Sequence, residues 1–407
     1  MRTGQPAAPW ARLAAIAALY VSLGAVLGFV QGGVGPIMRG KGHALTSMAP
    51  VFALYLPFGV TFLWAPLVDR WRLPWLGRRS GWIVAAQGLA VLLVAAIALG
   101  GALPLAALFG LGLAATLAVA TMDVALDAWT VEHIADAHRG AASAAKVGGL
   151  SLGAVLGGGV LVGLFPHLGW EGALLLLAAL MAFATLPAWR LPDHAAPAAA
   201  RQARPGLRAA LRQPAMAGRL LRISLVTCAL MALFNLNRLM LVDLGVPLAR
   251  IGWVLGVAAP LANLAMALAL PAALRRCAPR PLLWALLAAT VAGALAIVMA
   301  LRIGHADLAI AASIAISACV SGLYIVMGGL ILGWAAGGQA ATDYALLYGL
   351  GRFVGTLALL GMPALIALVG WPAFYALAAA CAVLAVACFM AALRKTCPLS
   401  AQRRQAP

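Results

Sequence analysis

Asp123 and Asp127 stand four residues apart in an otherwise apolar stretch, and Lys146 follows in the next one. Four apart on a helix is one face, with Asp127 about 6 Å further along the axis. Carboxylates and an ammonium set in apolar sequence can form a fixed ion pair, or Asp123 can gain and lose a proton, or Lys146 can meet an anion. All three readings stay open here. Arg238 and Arg352 add two guanidinium groups inside apolar runs. A guanidinium stays charged and offers a planar fork to carboxylate, phenolate or phosphate. Arg352 lies about 15 Å into its run by helix rise. Its alternatives are a solute anion, an acid partner or helix-end carbonyls. Arg238, with Asn235 and Asn237 beside it and Asp243 following, can bind a solute or reach back to the surface along its own stem. Gln31, Asn263, Tyr324, Tyr344, Tyr348 and Tyr20 are softer polar groups that can line a solute path or bond a neighbouring helix.

Several chemistries have no residues to carry them. There is no Walker loop, no HExxH and no GxSxG elbow. The six histidines are scattered and the six cysteines form no CxxC pair, which predicts no metal site, no cofactor and cysteines that act as small core residues. A membrane-embedded enzyme would need acids, histidines or nucleophiles gathered at one face. Only the Asp123–Glu132 stretch comes close, and it reads better as gating.

The elements that hold these groups are oily helices. The chain is 65% hydrophobic and 9% charged, with a mean hydropathy of +1.02. Apolar runs of about 20 residues, each enough to cross a bilayer, recur along it. They predict an all-α membrane protein of about twelve transmembrane helices, near 12–35, 47–67, 81–100, 105–126, 140–165, 171–188, 220–243, 250–273, 282–301, 307–330, 345–369 and 371–393. These are helices 1 to 12 below. Of the 28 basic residues, 20 fall in alternate loops and tails, from Arg2 and Arg12 to Arg403 and Arg404. The opposite loops carry only Arg39, Lys41, Arg250 and Arg302. That asymmetry places both termini in the cytoplasm. It also explains the net charge of +18 as topology rather than as a nucleic-acid footprint. Residues 189–219, rich in Ala, Pro and Arg, divide the chain into an N-terminal six-helix half (1–188) and a C-terminal half with a short cytoplasmic tail (220–407). This layout suits a transporter with a central cavity, expected as a monomer.

Trp64-Ala65-Pro66-Leu67-Val68-Asp69-Arg70, followed by Gly77-Arg78-Arg79, resembles the helix 2–3 loop motif of the major facilitator superfamily. The leading glycine is absent and the spacing from Asp69 to Gly77 is stretched. Asp123 to Trp129, Arg139-Gly140-Ala141-Ala142 before Gly149 and Gly153, and Tyr344-Ala345-Leu346-Leu347 with Arg352 resemble its AmpG-like branch, which includes muropeptide permeases and acetyl-CoA transporters. The run Lys146 to Gly153, with Gly157 to Gly159, is similar to the RhtX/FptX-type siderophore permeases, and Ser151 stands where muropeptide permeases tend to carry arginine. The expectation is also that the chain lacks the extra C-terminal helices of muropeptide permeases.

The resemblance implies the major facilitator fold and a multi-pass protein of the bacterial inner membrane. It implies proton-driven import of a medium-sized anionic or aromatic solute, with a siderophore first and a muropeptide as the alternative. It implies a gating latch of Asp69, Arg70, Arg78 and Arg79 joined by Asp127. Lys146 is expected to pair with Asp123, the candidate proton carrier. Arg352, Arg238, Asn235, Tyr348, Tyr324, Gln31 and Asn263 are the candidate solute contacts. The glycines Gly149, Gly153 and Gly157 are expected to pack helix against helix.

Overall fold

A computed structural model describes residues 9–71, 77–134, 139–191, 216–334 and 340–396. Every regular element among the described residues is helical. Nine of their helices are long and apolar enough to cross a membrane. Two of the nine are double length, Ala145–Trp189 and Gly349–Ala391. Each is interrupted by a glycine at positive φ, Gly169 (65°) and Gly370 (79°), and each glycine is followed by a tryptophan. A positive φ ends a helix, and glycine takes it without a Cβ penalty. Helices 5–6 and 11–12 are therefore two hairpins. With the broken helix 2, the layout is consistent with twelve spans.

Helix 2 departs from the expected single helix over 47–67. It is four short pieces: Ala49–Ala53, Leu56–Gly59, a 3-10 turn at Thr61–Leu63, and Ala65–Arg70. Pro50 and Pro57 sit in the first turns of their pieces. Proline lacks an N–H and clashes with the preceding turn, so a helix restarts there rather than running through. Helix 7 breaks as well, into Met216–Asn235 and Asn237–Asp243 on either side of Leu236.

The chain forms two compact units. The first holds Met1–Arg204 with Leu236–Ala265, and the second holds Pro205–Asn235 with Met266–Pro407. Most of the 189–219 linker lies outside the described residues.

In the first unit helix 5 lies directly on helix 1. A Cβ added at Gly149 would come within 2.6 Å of the Ala17 carbonyl oxygen. One at Gly153 would collide with the Val21 carbonyl, and one at Gly157 with that of Ala25. The expected glycine packing is found. Ile16, Leu19, Tyr20 and Leu23 are buried around it. In the second unit helix 11 lies on the first part of helix 7, with Gly351 against Ile223 and Gly355 against Met231 and Thr227.

The cysteines correct one expectation. Cys277, Cys381 and Cys388 are exposed on the chain surface, while Cys228 and Cys319 are partly buried; all five are free thiols. An exposed position in an apolar span is a bilayer-facing one, so for Cys381 and Cys388 lipid replaces the expected protein core. Cys397 lies outside the described residues.

Candidate functional site

Helix 4 (Leu105–His133) and helix 5 (from Arg139) bring Asp127 and Lys146 together over Tyr20 of helix 1. The Lys146 ammonium donates to both Asp127 carboxylate oxygens, at 2.6 and 2.7 Å. Tyr20 donates its phenol O–H to Asp127 Oδ1. The same ammonium stands 4.9 Å from the centroid of the Tyr20 ring. Asp123 is the outer member, its Oδ1 3.9 Å from Lys146 Nζ.

The expected Lys146–Asp123 pair is present at the longer distance, and Asp127 adds a closer, bidentate one. Asp127 lies six residues before the end of helix 4 and Lys146 seven after the start of helix 5, so they come nearly level. Asp123 sits a turn beyond. Asp127 is accordingly the centre of an ion pair rather than a member of the loop's charge network. Its side chain is 50% exposed and that of Lys146 35%, so the pair is open to ions and solute. Below it, Trp129 is fully buried and its ring stacks on His133, with centroids 4.6 Å apart, which stiffens the helix end.

Arg238 occupies a different place in the same unit. Its guanidinium donates to the Gly158 carbonyl at 2.9 Å. It lies so close to Gly32 that a Cβ there would overlap Nη1. Three π-helical turns meet around this point: Val30–Val34, Leu156–Val160 and Ile251–Leu255. A π-turn widens the helix and turns carbonyls outward, and it recurs at working sites. Gly256 packs on Gly158 and Gly159, and Gly252 on Gly163. The arginine therefore pins one backbone to another where both approach without side chains. Asp243, five residues after Arg238, is held by Arg39, whose Nε donates to it at 2.6 Å.

The remaining candidates divide between the units. Gln31 and Asn263 are partly buried in the first. Arg352, Asn235 and Tyr324 are partly buried in the second. Arg352 makes no side-chain hydrogen bond or ion pair among the described residues, although its carbonyl accepts from Thr356 at 2.9 Å. Asn235 donates within its own helix, to the Met231 carbonyl at 3.1 Å. The side chain of Tyr348 lies outside the described residues, as do those of Asp69 and Arg70. Arg79 is buried, 5% exposed, and reaches towards the Val68 carbonyl at 3.5 Å. Arg78 is half-buried beside it. Among the described residues no cluster of metal-ligating side chains occurs.

Sequence reasoning did not place Tyr20 in the charged group or Arg39 against Asp243. A signal for the first existed. Lys146 is one helical turn before Gly149, the glycine that packs on Tyr20 Cβ, so the ring had to lie near the ammonium. The Arg39–Asp243 contact joins positions far apart in the chain and left no local trace.

Known proteins resemble this chain in two ways. The family model described as acetyl-coenzyme A transporter 1 matches residues 13–104. The anhydromuropeptide permease of Escherichia coli K12 is 40% identical over 124 residues, which cover 30% of this chain and 25% of the permease. The matched stretch thus spans about a quarter of that relative's length. Among solved structures, the nucleoside transporter NupG superposes with a TM-score of 0.73 at 14% identity, covering 93% of this chain and 99% of that one. A D-xylose-proton symporter superposes with a TM-score of 0.69 at 10% identity, covering 91% and 96%. The fold is that of the major facilitator transporters, and over 30% of its length the chain is similar in sequence to a muropeptide permease. These relatives and neighbours are transporters rather than enzymes.

Proposed function

We propose that this protein is a proton-coupled secondary transporter of the bacterial inner membrane that imports an anionic muropeptide. The observation that carries the reading is the open Tyr20–Asp127–Lys146 group. Its electrostatics couple a proton to an anion. With Asp127 ionised, Lys146 is satisfied by a bidentate contact. A proton on Asp127 removes that contact and leaves the ammonium only its longer one to Asp123. An anionic solute then binds better, and by reciprocity the bound anion favours the proton. Binding that is linked in this sense is what a symporter needs. Asp123, a turn away, serves as a neighbouring acceptor in the same path.

Arg352 is the anion contact of the second unit, with Asn235, Tyr324 and Tyr348 beside it in the same unit, and Gln31, Asn263 and Arg238 are separate candidate contacts of the first. Asp69, Arg70, Arg78 and Arg79 act as the cytoplasmic latch. The protein works as a monomer with both termini in the cytoplasm.

The permease relative supports a muropeptide as solute. The siderophore reading rests on the resemblance in the run from Lys146 to Gly159 and on the expected lack of extra C-terminal helices, and it is the second arm of the test. Purified protein in sealed vesicles is given an anhydromuropeptide or a radio-iron siderophore chelate, with and without an imposed proton gradient. Gradient-dependent accumulation of the intact muropeptide is expected. Accumulation of the chelate alone would move the solute assignment to siderophores. Chemical conversion without accumulation would overturn the transporter reading.

A further inference from the structure

We infer that the first unit holds a second binding site, for one alkyl chain of an anionic amphiphile. A cavity of about 600 Å³ lies among helices 1, 2, 3, 4 and 6, towards the helix 1–2 loop. That is well within the size of ligand pockets, roughly 300–1,000 Å³. It is at the opposite end of helices 1 and 4 from the Asp127–Lys146 pair, and it shares no residue with it. The break in helix 2 makes it. Pro50, Val51 and Leu54 form a wall where a straight helix would fill the space, and Gly101 and Gly112 add no side chains to the lining.

The walls are apolar: Phe29, Leu54, Ile97, Phe109, Leu174 and Leu177. Most of these are buried, and such walls give water no partners. A hydrocarbon chain matches them. The open end differs. Lys41 and His43 line it and are exposed. The Lys41 ammonium stands 5.8 Å from the centroid of the Trp170 ring. Trp170 also lines the cavity, and its indole N–H is buried with no acceptor among the described residues. An indole donor buried in this way is usually paired. Asp243, the acid of the neighbouring segment, is engaged by Arg39. The cavity lining contains no acidic residue, and Glu171, next to Trp170, is exposed and outside the lining. An anionic head with acceptor oxygens completes both groups: charge to Lys41 and a hydrogen bond from Trp170.

A carboxylate or phosphate head would serve equally. The occupant can come from the bilayer, as one chain of an anionic phospholipid, or from outside it, as a free fatty acid or single-chain lipid.

The test uses the full chain in nanodiscs and a palmitate analogue carrying a photoactivatable diazirine on its chain. Adducts are mapped by mass spectrometry. Labelling is expected on wall peptides that contain Leu54, Phe109 or Leu174. Palmitate should compete about tenfold better than hexadecanol, since only the acid can charge-pair with Lys41. Lys41→Gln, at an exposed position, should abolish that tenfold difference with no change in melting temperature. Ala106→Trp, which fills the open end, should remove the labelling. Loss of labelling in phosphatidylglycerol discs but not in phosphatidylcholine discs assigns the site to a bilayer lipid; equal labelling in both assigns it to a free amphiphile. Adducts confined to outward positions such as Leu92 and Phe183 would overturn the proposal. So would equal competition by acid and alcohol that Lys41→Gln leaves unchanged. Solute uptake in the same protein is a separate readout, so this site can fail while the transport reading stands, and the reverse.

Discussion

Helix 5 lies on helix 1 through Gly149 and Gly153, and helix 11 lies on helix 7 through Gly351 and Gly355. The two pairs share a design. Each uses glycines one turn apart, and each packing helix ends at a Gly-Trp hinge, Gly169-Trp170 or Gly370-Trp371. They differ in charge. The first pair carries Lys146 bound to Asp127 and Tyr20, a group that is nearly neutral as a whole. The second carries Arg352, with no acid bonded to it among the described residues. One scaffold thus serves two electrostatic jobs. In a compensated group the proton and an incoming anion are tied together, because each changes what the ammonium has as a partner. An uncompensated guanidinium cannot lose its proton, so only an incoming anion satisfies it.

The largest expected effect breaks the compensated side. Asp127→Asn leaves Lys146 without its bidentate partner and removes the carboxylate that cycles. Gradient-driven accumulation should fall to the level seen with no gradient, while solute counterflow continues. Asp123→Asn, whose carboxylate is 3.9 Å from the ammonium, should cost less. If Asp123→Asn abolishes accumulation and Asp127→Asn does not, the roles of the two aspartates are reversed.

The uncompensated side gives the next effect. Arg352→Lys keeps the charge and loses the fork. Solute affinity should weaken by about 1.5–3 kcal/mol, roughly ten- to a hundredfold. Equilibrium binding in detergent reads this directly. Unchanged affinity would make Arg352 a packing residue and dissolve the contrast with Lys146.

The packing itself is expected to differ in tolerance. A Cβ at Gly153 meets backbone, including the Ala25 nitrogen at 2.6 Å, and backbone does not yield. A Cβ at Gly355 meets the Met231 sulfur at 2.8 Å and a Thr227 methyl, and the thioether can turn away. Gly153→Ala should therefore destabilise by about 1–3 kcal/mol and Gly355→Ala by about 1 kcal/mol or less, compared by thermal unfolding in the same detergent. Equal losses would mean that the second interface is as rigid as the first.

These contrasts also show what could be read in the chain and what could not. The spans were legible because hydrophobic length is a local property. Prolines could have warned of the broken helix 2, since Pro50 and Pro57 stand in plain view inside an apolar run. The match between the two glycine-packed pairs, Gly149 and Gly153 against Gly351 and Gly355, rests on where backbones approach and not on any shared apolar sequence. The charges inside the spans were found, and the pair of Lys146 with Asp123 was legible, but the closer one with Asp127 was not. The spacing within helix 4 placed Asp123 and Asp127 on one face, yet which of them meets Lys146 depends on the turn between helices 4 and 5. Contacts such as Arg39–Asp243 depend on the tertiary fold alone.

Tyr20→Phe is the smallest and most discriminating change. Its ring stays, so the cation–π contact with Lys146 and the packing under Gly149 are kept. Only the O–H that Asp127 accepts is lost. The carboxylate is half exposed, so water can replace that donor in part, and the net cost should be near that of an ordinary hydrogen bond, about 0.5–1.5 kcal/mol. Accumulation should fall by roughly two- to tenfold, well short of Asp127→Asn. Counterflow and solute affinity should not move, because the phenol acts on the proton-carrying side chain and not on the solute. The paired measurement is uptake and counterflow in one vesicle preparation. If solute affinity drops instead while coupling holds, Tyr20 contacts the solute, and the first pair binds anions just as the second does.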